Sequence, residues 1–305
     1  MNKILLILLT SLSMNVWSTE LIVPYGPGGA ADIVGRAAAA YYEKTQSESI
    51  VIVNRPGAGG TIGTNYALKQ HPDGKTLVVA NSGSFVFNKV FYKTQPYDYS
   101  DFDIAGPYAQ TPVMLAVSDT QINTIDEFII ATKKKKNFNC GTSSPSGAVL
   151  GRYILQQLKI DSVEIIIYRG STEVSAALVG KQIDCAFDPL SSQLALYKNK
   201  NINIIAIASD QVNPEFVNVA LFKDLVPDLI FYYWYGIAVP KSVNIKLRKT
   251  ILTKFSLMYK DPEFVNTIST VGLMPVAGLK NPNQWIDQQY RKFDKMRELT
   301  GISKE

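Results

Sequence analysis

The chain of 305 residues is 46% apolar and 19% charged, a composition typical of a globular protein with one large domain or two medium ones. Its formal net charge of +5 at pH 7 would help to attract anions but identifies none. Much of the excess lies in the lysine run 133–136, which is typical of a solvated helix end. Because no aromatic residues interleave with these lysines, no nucleic-acid partner is expected.

Residues 1–18 have the pattern of a secretory signal peptide. Lys3 supplies a positive start, an apolar run continues to about Val16, and small residues lead to a cleavage position after Ser18. The run is shorter than the roughly 20 residues that a membrane span needs, and polar residues interrupt it. No cysteine follows it, which argues against a lipoprotein. The sequence therefore predicts a periplasmic protein whose mature chain begins near Thr19.

Strands and glycine-containing loops alternate in the first part of the mature chain. The predicted order is strand 21–23, helix from about 30, strand 49–53, loop 57–63 and helix 64–70, followed by segment 75–84, which begins as a strand and ends as a loop. This βαβαβ rhythm with short loops predicts a parallel, doubly wound sheet. Ligands of open α/β sheets bind outside the carboxyl ends of the strands, so the loops that follow these strands are the predicted site.

The first of these loops, residues 24–31, has two interpretations. Gly26-x-Gly28-x-x-Ala31 fits a loose dinucleotide pattern, which requires an acidic residue after the second strand, where this chain has Asn54 and then Arg55. An arginine could suit a 2′-phosphate. However, a secreted protein seldom has access to a soluble nicotinamide cofactor, and Pro27 is unusual in a pyrophosphate-binding turn. We therefore favour binding without chemistry.

In that second interpretation the loop binds an anion through its backbone. Gly28 and Gly29 allow N–H groups to approach a ligand closely, and the following helix N-terminus carries about half a positive charge. Asp32 falls in the first helical turn, where it could interact with the helix dipole and cap free N–H groups, or contact the ligand directly. Both roles for Asp32 stay open at this point.

A second unit repeats the pattern further along the chain. Its predicted elements are strand 112–117, helix 126–136, strand 138–141, loop 142–147, helix 148–159, strand 163–168, helix 172–181 and strands 183–188 and 202–209. The loop 142–147 supplies hydroxyls and amides before a helix and is a second anion site that faces the first. The tail contains strand 236–240 and helices near 244–260 and 283–298, which could return to complete the first unit.

The remaining residue types argue against catalysis and metal binding. His71 is the only histidine and lies in a Pro-Asp-Gly turn, which argues against Ser-His-Asp catalysis, Cys-His catalysis and imidazole metal sites. Neither glycine loop continues as a P-loop. Cys140 and Cys185 have no metal-site spacing. They could pair in an oxidising periplasm, but we expect two buried thiols on strands. No enzyme activity, cofactor or metal is predicted.

At several motifs the chain resembles the Bug family, the periplasmic solute-binding proteins of tripartite tricarboxylate transporters. The matching stretches cover nearly the whole mature sequence, and the most specific are PGGxxD, NRPGAGGxxG, PDGxTL and the late FD. In this chain they occur in IVPYGPGGAADIVGR, VIVNRPGAGGTIGTNYA, HPDGKTLVVANSG, YKTQPYDYSDF, FNCGTSSPSG, YRGSTEVSAALVGKQIDCAFD, WYGIAVP and DPEF.

The resemblance implies an α/β fold of the type II periplasmic-binding-protein (Venus flytrap) kind, with two doubly wound lobes. Two crossover segments, near 113–120 and 232–238, would join the lobes. Lobe 1 would comprise residues 19–116 and 236–305, and lobe 2 residues 117–235.

The function that the resemblance implies is reception of a solute. A monomer would capture a small mono-, di- or tricarboxylate between its lobes and present it to the large and small subunits of a membrane permease. Two alternatives remain at this stage. The same fold could supply the ligand-binding component of a periplasmic signalling system, or the chain could be a secreted NAD(P)-dependent oxidoreductase.

The resemblance also implies a set of ligand-binding residues. They are Tyr25, Gly28, Gly29, Ala30, Ala31, Asp32, Asn81, Ser82 and Ser84 on lobe 1, and Thr142, Ser143, Ser146, Gly147, Tyr168, Arg169, Gly170 and Asp188 on lobe 2. Some positions depart from the family pattern. Ala30 stands where a hydroxyl residue is frequent, and Arg169 stands where lysine is usual. Arg169 could point to solvent or reach a second carboxylate, and Tyr168 could instead be a packing residue.

Overall fold

The structure is a computed structural model that describes residues 18–304 except 212–215, 217 and 228. The predicted signal peptide lies outside the described residues, apart from Ser18. The strands are β1 (Thr19–Val23), β2 (Ile50–Asn54), β3 (Thr76–Asn81), β4 (Phe102–Val117), β5 (Phe138–Thr142), β6 (Val163–Ile167), β7 (Cys185–Pro189), β8 (Asn203–Ile207), β9 (Ala220–Leu221), β10 (Tyr232–Pro240) and β11 (Met274–Pro275). The helices are α1 (Ala30–Gln46), α2 (Thr61–Leu68), α3 (Asn88–Phe91), α4 (Ile125–Lys134), α5 (Pro145–Gln157), α6 (Ser171–Val179), α7 (Leu190–Lys198), α8 (Phe222–Leu225), α9 (Ile245–Thr253), α10 (Pro262–Ser269) and α11 (Pro282–Leu299).

The strands form one continuous mixed sheet in the order β2-β1-β3-β10-β4-β7-β5-β6. Strands β1, β2 and β3 are parallel, as the βαβαβ rhythm predicts, and so are β5, β6 and β7. Strands β10 and β4 run antiparallel to their neighbours, so the sheet is not purely parallel. We call β1–β3 with their helices, the paired part of β10 and the helices α9 and α10 the first lobe. The second lobe comprises β5–β9 with their helices.

Strand β4 links the two lobes. Residues 102–112 pair with β10, whereas residues 113–117 pair with β7 and β8, and β10 returns the chain to the first lobe. The sequence predicts only residues 112–117 of this strand, and it assigns no strand to the part that contains Gly106 and Pro107. They lie instead beside a β-bulge opposite Gly236, where a side chain on Gly236 would approach the carbonyl oxygen of Ala105 to 2.6 Å. The limits of the lobes stay a prediction.

An aromatic cluster joins the two lobes beneath this crossover. The ring of Phe87 lies 4.7 Å from that of Phe293 and 5.6 Å from that of Phe231, measured between centroids. Phe293 comes from α11, which also packs against α5 of the second lobe. The C-terminal helix therefore contributes to a hydrophobic core that is continuous across both lobes. Two further hydrophobic cores lie on the opposite face of the sheet, one in each lobe. Within the described ranges, no helix has the length and apolar character that crossing a bilayer requires.

The expectation of two buried thiols was wrong, because the structure pairs Cys140 and Cys185 as a disulfide. Both cysteines are completely buried, as expected, but they also stand directly opposite each other on the parallel strands β5 and β7, with a Cα–Cα distance of 4.4 Å. A separation of this size is within the range that a disulfide requires. The chain positions are 45 residues apart, and only the strand register brings them together.

Reduction of this disulfide should lower stability substantially. Releasing the 45-residue loop returns conformational entropy to the unfolded chain, which corresponds to about 4 kcal/mol and a melting temperature lower by about 10 °C. Thermal unfolding with and without dithiothreitol measures the effect, and a Cys140→Ala/Cys185→Ala variant serves as the control that dithiothreitol should not change. Detection of two free thiols per chain in protein that was denatured without a reductant would contradict the disulfide.

Candidate functional site

The loop between β1 and α1 folds back on its own helix. Gly28 adopts a left-handed conformation (φ +83°) that favours glycine, and its N–H donates to Asp32 Oδ2 at 2.9 Å. Gly29 is the N-cap of α1 and has no side chain with which to cap the helix. The Gly28 amide, expected from sequence to approach a ligand, is therefore used within the loop. The N–H groups of the first turn, beginning at Ala30 and Ala31, receive no side-chain acceptor from the described residues.

Asp32 holds this loop in place. Its carboxylate also accepts from Arg36 Nε at 2.9 Å and from Asn54 Nδ2 at 2.9 Å, and the residue is only 2% exposed. Burial alone would raise the pKa of Asp32, but the bonds from Arg36, Gly28 and Asn54 outweigh it and keep the pKa below its ordinary value. Asn54 additionally donates to the carbonyl oxygen of Tyr25 at 3.1 Å. Because all these contacts are internal, the geometry favours a positioning role for Asp32 over contact with a ligand.

The loop after β3 forms the neighbouring wall. Asn81 accepts from the N–H of Ser84 at 3.1 Å, and its amide donates to Ser84 Oγ at 3.1 Å. These bonds close a π-helical turn over residues 83–87, a geometry that is frequent at functional sites. Ser82 precedes that turn and is 3% exposed, yet its hydroxyl has no hydrogen-bond partner among the described residues. Of the three residues predicted here, Ser82 is the one whose side chain forms no hydrogen bond with the described residues.

The second glycine loop, residues 57–60, supports the first loop, but none of its residues was predicted to belong to the site. The Tyr25 hydroxyl lies 3.0 Å from Asn81 Oδ1 and 3.1 Å from the carbonyl oxygen of Gly59. A side chain at Gly60 would approach the Tyr25 hydroxyl to 3.1 Å, so glycine permits this close packing. The motif NRPGAGGxxG was the available signal. It indicated a loop, but only the tertiary structure shows that the loop holds Tyr25.

On the second lobe, Asp188 has the same organising role. It is completely buried and accepts from the Ser143 N–H at 3.1 Å, from the Ser143 hydroxyl and from Gln193 Nε2 at 3.1 Å. Burial raises the pKa of this carboxyl group, and hydrogen bonds from Ser143, Ser171 and Gln193 only partly oppose the effect. Unlike Asp32, it has no basic partner in the described part of the chain. Asp188 thereby joins the loop after β5 to the start of α6.

The predicted loop 142–147 is mostly the start of a helix. Ser144 is the N-cap of α5, Pro145 takes the first helical position, and the Ser144 hydroxyl accepts from the Gly147 N–H at 3.2 Å. Ser146 and Gly147 therefore lie in the first turn of α5. A side chain at Gly147 would overlap the Thr142 hydroxyl and come within 3.0 Å of the carbonyl oxygen of Phe187.

Tyr233 of β10, which sequence reasoning missed, connects the lobes at the site. Its hydroxyl lies 3.2 Å from Ser146 Oγ and 3.3 Å from Ser144 Oγ, on the second lobe. On the first lobe, Tyr25 lies close enough to the phenols of Tyr233 and Tyr235 for both to influence its pKa. Burial raises the pKa of Tyr233 to about 12, and it also raises the pKa values of Tyr25 and Tyr235. All three phenols are therefore protonated hydrogen-bond donors at neutral pH.

The remaining predicted residues follow β6. The backbone N–H of Tyr168 donates to the Thr142 carbonyl oxygen at 2.8 Å, and its ring lies over Gly141, so it has a packing role. Arg169 is exposed, and no ion pair is formed by its guanidinium with the residues that the structure describes. Gly170 is the N-cap of α6, has no side chain to cap it, and is surrounded by open space.

The candidate site thus consists of two sets of loops, one on each lobe, with neutral donors and two glycine-capped helix N-termini. We call the space between these loops the cleft. The described residues contain no group of three or more histidines, cysteines or carboxylates that could hold a metal ion. An anion is the ligand that such donors suit, because amides, phenols and hydroxyls all present hydrogen to it.

Comparisons with known proteins agree with this geometry. The curated UPF0065 protein in the tcbD-tcbE intergenic region of Pseudomonas sp. (strain P51) is 26% identical over 267 residues, 84% of this chain and 78% of that protein. The solved structure of R. palustris Rpa4515 with adipate superposes with a TM-score of 0.83 at 20% identity, over 94% of this chain and 98% of that one. MatC (Rpa3494) from Rhodopseudomonas palustris with bound malate gives a TM-score of 0.73 at 20% identity, over 92% and 98%.

These structural likenesses confirm the predicted Venus flytrap fold of periplasmic binding proteins. A family model described as the tripartite tricarboxylate transporter family receptor, TctC, matches residues 34–301. A match over this length shows that the chain belongs to this family of periplasmic solute-binding receptors, and not to a family of enzymes.

Proposed function

We propose that this receptor captures a small carboxylate between its two lobes and delivers it to a tripartite tricarboxylate-type permease. One observation carries the proposal. The N-cap Gly29 leaves the first-turn amides of α1 without a side-chain acceptor. The next loop, which Tyr25 joins to the first through Asn81, carries the unpartnered hydroxyl of the nearly buried Ser82. Adipate and malate, in the titles of the two similar structures, are both dicarboxylates.

The second lobe would complete the site by closing over the bound anion. Its candidate contacts are the glycine-capped start of α6, the Ser146 hydroxyl and the phenol of Tyr233. A ligand that touches both lobes stabilises the closed form, because closure then adds contacts that the open form lacks. The full predicted set of site residues remains part of this proposal, with Asp32 and Asp188 positioning the loops.

A thermal-shift assay on the mature chain tests the proposal. We expect a panel of mono-, di- and tricarboxylates to contain at least one ligand that stabilises the fold by about 2.7 kcal/mol at a hundredfold excess over its Kd. The melting temperature should then rise by about 5–10 °C. The matching neutral amides are the control compounds and should give no shift. A panel without any stabilising carboxylate would contradict the proposal.

The variant Ser82→Ala tests the donor that the structure leaves available. It should lower the affinity for the best carboxylate by about tenfold, which corresponds to the loss of one hydrogen bond to a charged group. The melting temperature of the unliganded protein should change little. Ser242→Ala, which removes an exposed hydroxyl remote from the cleft, is the matched control. Uptake of the same ligand by proteoliposomes that contain the large and small permease subunits, with and without the receptor, tests delivery.

A further inference from the structure

The inference concerns the end of the second lobe that faces away from the ligand cleft. Strands β5, β6, β7 and β8 all run in the same direction, so the segments that enter them lie at one edge, opposite the loops of the candidate site. We call the segments 118–127, 133–139, 158–162, 180–184 and 198–202 the distal edge. The Ser118 N–H donates to the Asp184 carbonyl oxygen at 2.9 Å, and Asn203 Nδ2 donates to the Ile122 carbonyl oxygen at 2.8 Å, which places segment 118–127 there too.

Lysine is the only basic residue type at the distal edge, and every segment that enters one of the four strands carries it. The eight lysines are Lys133, Lys134, Lys135, Lys136, Lys159, Lys181, Lys198 and Lys200, and all are exposed. The same edge carries five carboxylates, namely Asp119, Asp126, Glu127, Asp161 and Asp184. Lys135 pairs with Asp184 at 2.6 Å. The edge therefore accounts for three of the five net positive charges of the chain.

Three of these lysines occupy positions whose backbone conformation favours glycine. Lys159, Lys181 and Lys200 have φ values of 57°, 53° and 58°, in the left-handed region that disfavours side chains. Each follows a helix and forms the same pair of backbone bonds, the Schellman motif, in which glycine is usual. Outside the second lobe the same bond pattern has glycine, at Gly272 after α10 and at Gly301 after α11. At Gly301 packing does not impose glycine, since open space surrounds it, whereas at Gly272 a side chain would come within 3.1 Å of the Ser191 Cα atom.

A cavity of about 440 Å³ opens at the same edge. Its lining includes Lys200, Thr120, Asn123 and Asn203, and no carboxylate is among the lining residues. Ammonium, hydroxyl and amide groups donate hydrogen bonds to phosphate oxygens. The repeated, conformationally unfavourable lysines and this cavity together indicate a surface for phosphate groups rather than an incidental excess of charge.

We propose that the distal edge docks the receptor on a membrane surface of anionic phospholipids. Lysine favours this partner over an acidic protein, because its ammonium is a flexible point charge that requires no fixed bidentate geometry. A fluid array of phosphate headgroups supplies charge without fixed geometry, and each lysine near such a surface adds to the attraction. Docking by this edge leaves the ligand cleft, at the opposite end of the strands, directed away from the lipid, so the docked receptor has to turn before it delivers a ligand to the permease.

Co-sedimentation of the mature chain with vesicles tests the proposal. We expect binding to vesicles of phosphatidylglycerol and phosphatidylcholine in equal parts at low ionic strength, weaker binding at about 0.15 M salt, and no binding to pure phosphatidylcholine. The variant Lys159→Gly/Lys181→Gly/Lys200→Gly should bind on the order of a hundredfold more weakly. Its melting temperature should be unchanged or higher, since glycine suits the left-handed positions.

The control variant removes the same charge from the first lobe. Lys241→Gln/Lys246→Gln/Lys249→Gln changes three exposed lysines around α9 and should retain most of the binding. Equal losses in the two variants would show that only net charge matters and would overturn the proposal. Absence of binding to the phosphatidylglycerol vesicles would also overturn it and would direct attention to an acidic protein partner.

Discussion

Replacement of Asp32 by alanine is expected to lower the stability of the receptor by about 3 kcal/mol and its melting temperature by about 10 °C. The change removes the acceptor of the Gly28 N–H, the Asn54 amide and the Arg36 guanidinium in a site that is 2% exposed. The Gly28 N–H would lose its acceptor, and the Asn54 amide would keep only its bond to the Tyr25 carbonyl oxygen, whereas Arg36 would still reach water. The anion affinity should fall by at least about tenfold, because the loop that presents the α1 N-terminus is no longer pre-organised.

A matched variant separates this role from a simple interaction with the helix dipole. Asp126 also lies in the first turn of a helix, α4, but it is exposed. If Asp32 acted only on the dipole, Asp32→Ala and Asp126→Ala would each cost less than about 1 kcal/mol. Equal effects of the two substitutions in thermal unfolding would therefore refute the loop-positioning role.

The effect of Asp32 should also depend on pH in a defined direction. Its pKa in the folded protein is lower than its ordinary value, so the carboxylate is favoured by folding. The stabilisation is fully present above the ordinary pKa of an aspartate and is lost as the pH falls through the lowered value. The difference in stability between the wild type and Asp32→Ala should accordingly shrink in acid, as denaturant unfolding at neutral and acidic pH can measure.

Replacement of Gly147 by alanine is the second substitution with a large expected effect, and it should lower the free energy of unfolding by about 3 kcal/mol. The added methyl group would overlap the Thr142 hydroxyl and lie 3.0 Å from the carbonyl oxygen of Phe187, which belongs to the backbone of β7 and cannot easily move. The start of α5 must then shift, and with it Ser146. Both the melting temperature and the affinity for the best carboxylate should decrease.

The double variant Gly147→Ala/Thr142→Ala identifies the cause. Removing the Thr142 hydroxyl relieves the closest contact, so the double variant should be more stable than the sum of the two single changes predicts. Gly170→Ala is the control, since the N-cap of α6 has an extended backbone and open space where the methyl group would lie. The packing explanation would be contradicted if the stability losses of the two single substitutions added strictly in the double variant. It would also be contradicted if Gly170→Ala lowered the stability as much as Gly147→Ala does.

The predicted and observed elements differ where long-range pairing decides the outcome. The βαβαβ rhythm, the glycine loops and the apolar runs are local patterns, and they located β1–β3, β5–β8 and most helices. Helices α3, α7, α8 and α10 and the short strands β9 and β11 lie outside the predicted elements. Strand β4 was predicted at barely a third of its length, because Gly106 and Pro107 are turn residues locally and become part of a bulge only when β10 pairs beside them.

The composition and motifs of the site were predictable from the sequence, but the role of each residue was not. Glycine placement and hydroxyl-rich loops already indicated an anion clamp without catalysis. Whether the Gly28 amide is available depends on Asp32, and whether Asp188 touches a ligand depends on Ser143, Ser171 and Gln193. Ser143 lies 45 residues from Asp188, so that pair leaves no local sequence pattern, and the Gly28–Asp32 bond forms only because the loop folds back on its own helix.

By itself, therefore, the sequence determined the α/β class and the neutral, donor-rich chemistry of the loops, because these follow from local periodicity and glycine positions. The family and its two-lobed fold came from the resemblance of several motifs to a known family. The tertiary structure alone decided that Cys140 and Cys185 pair and that Tyr233 connects the lobes at the site. It also decided that the scattered lysines Lys159, Lys181 and Lys200 share one edge. Each of these depends on strand register and direction, which bring together residues that are far apart in the chain.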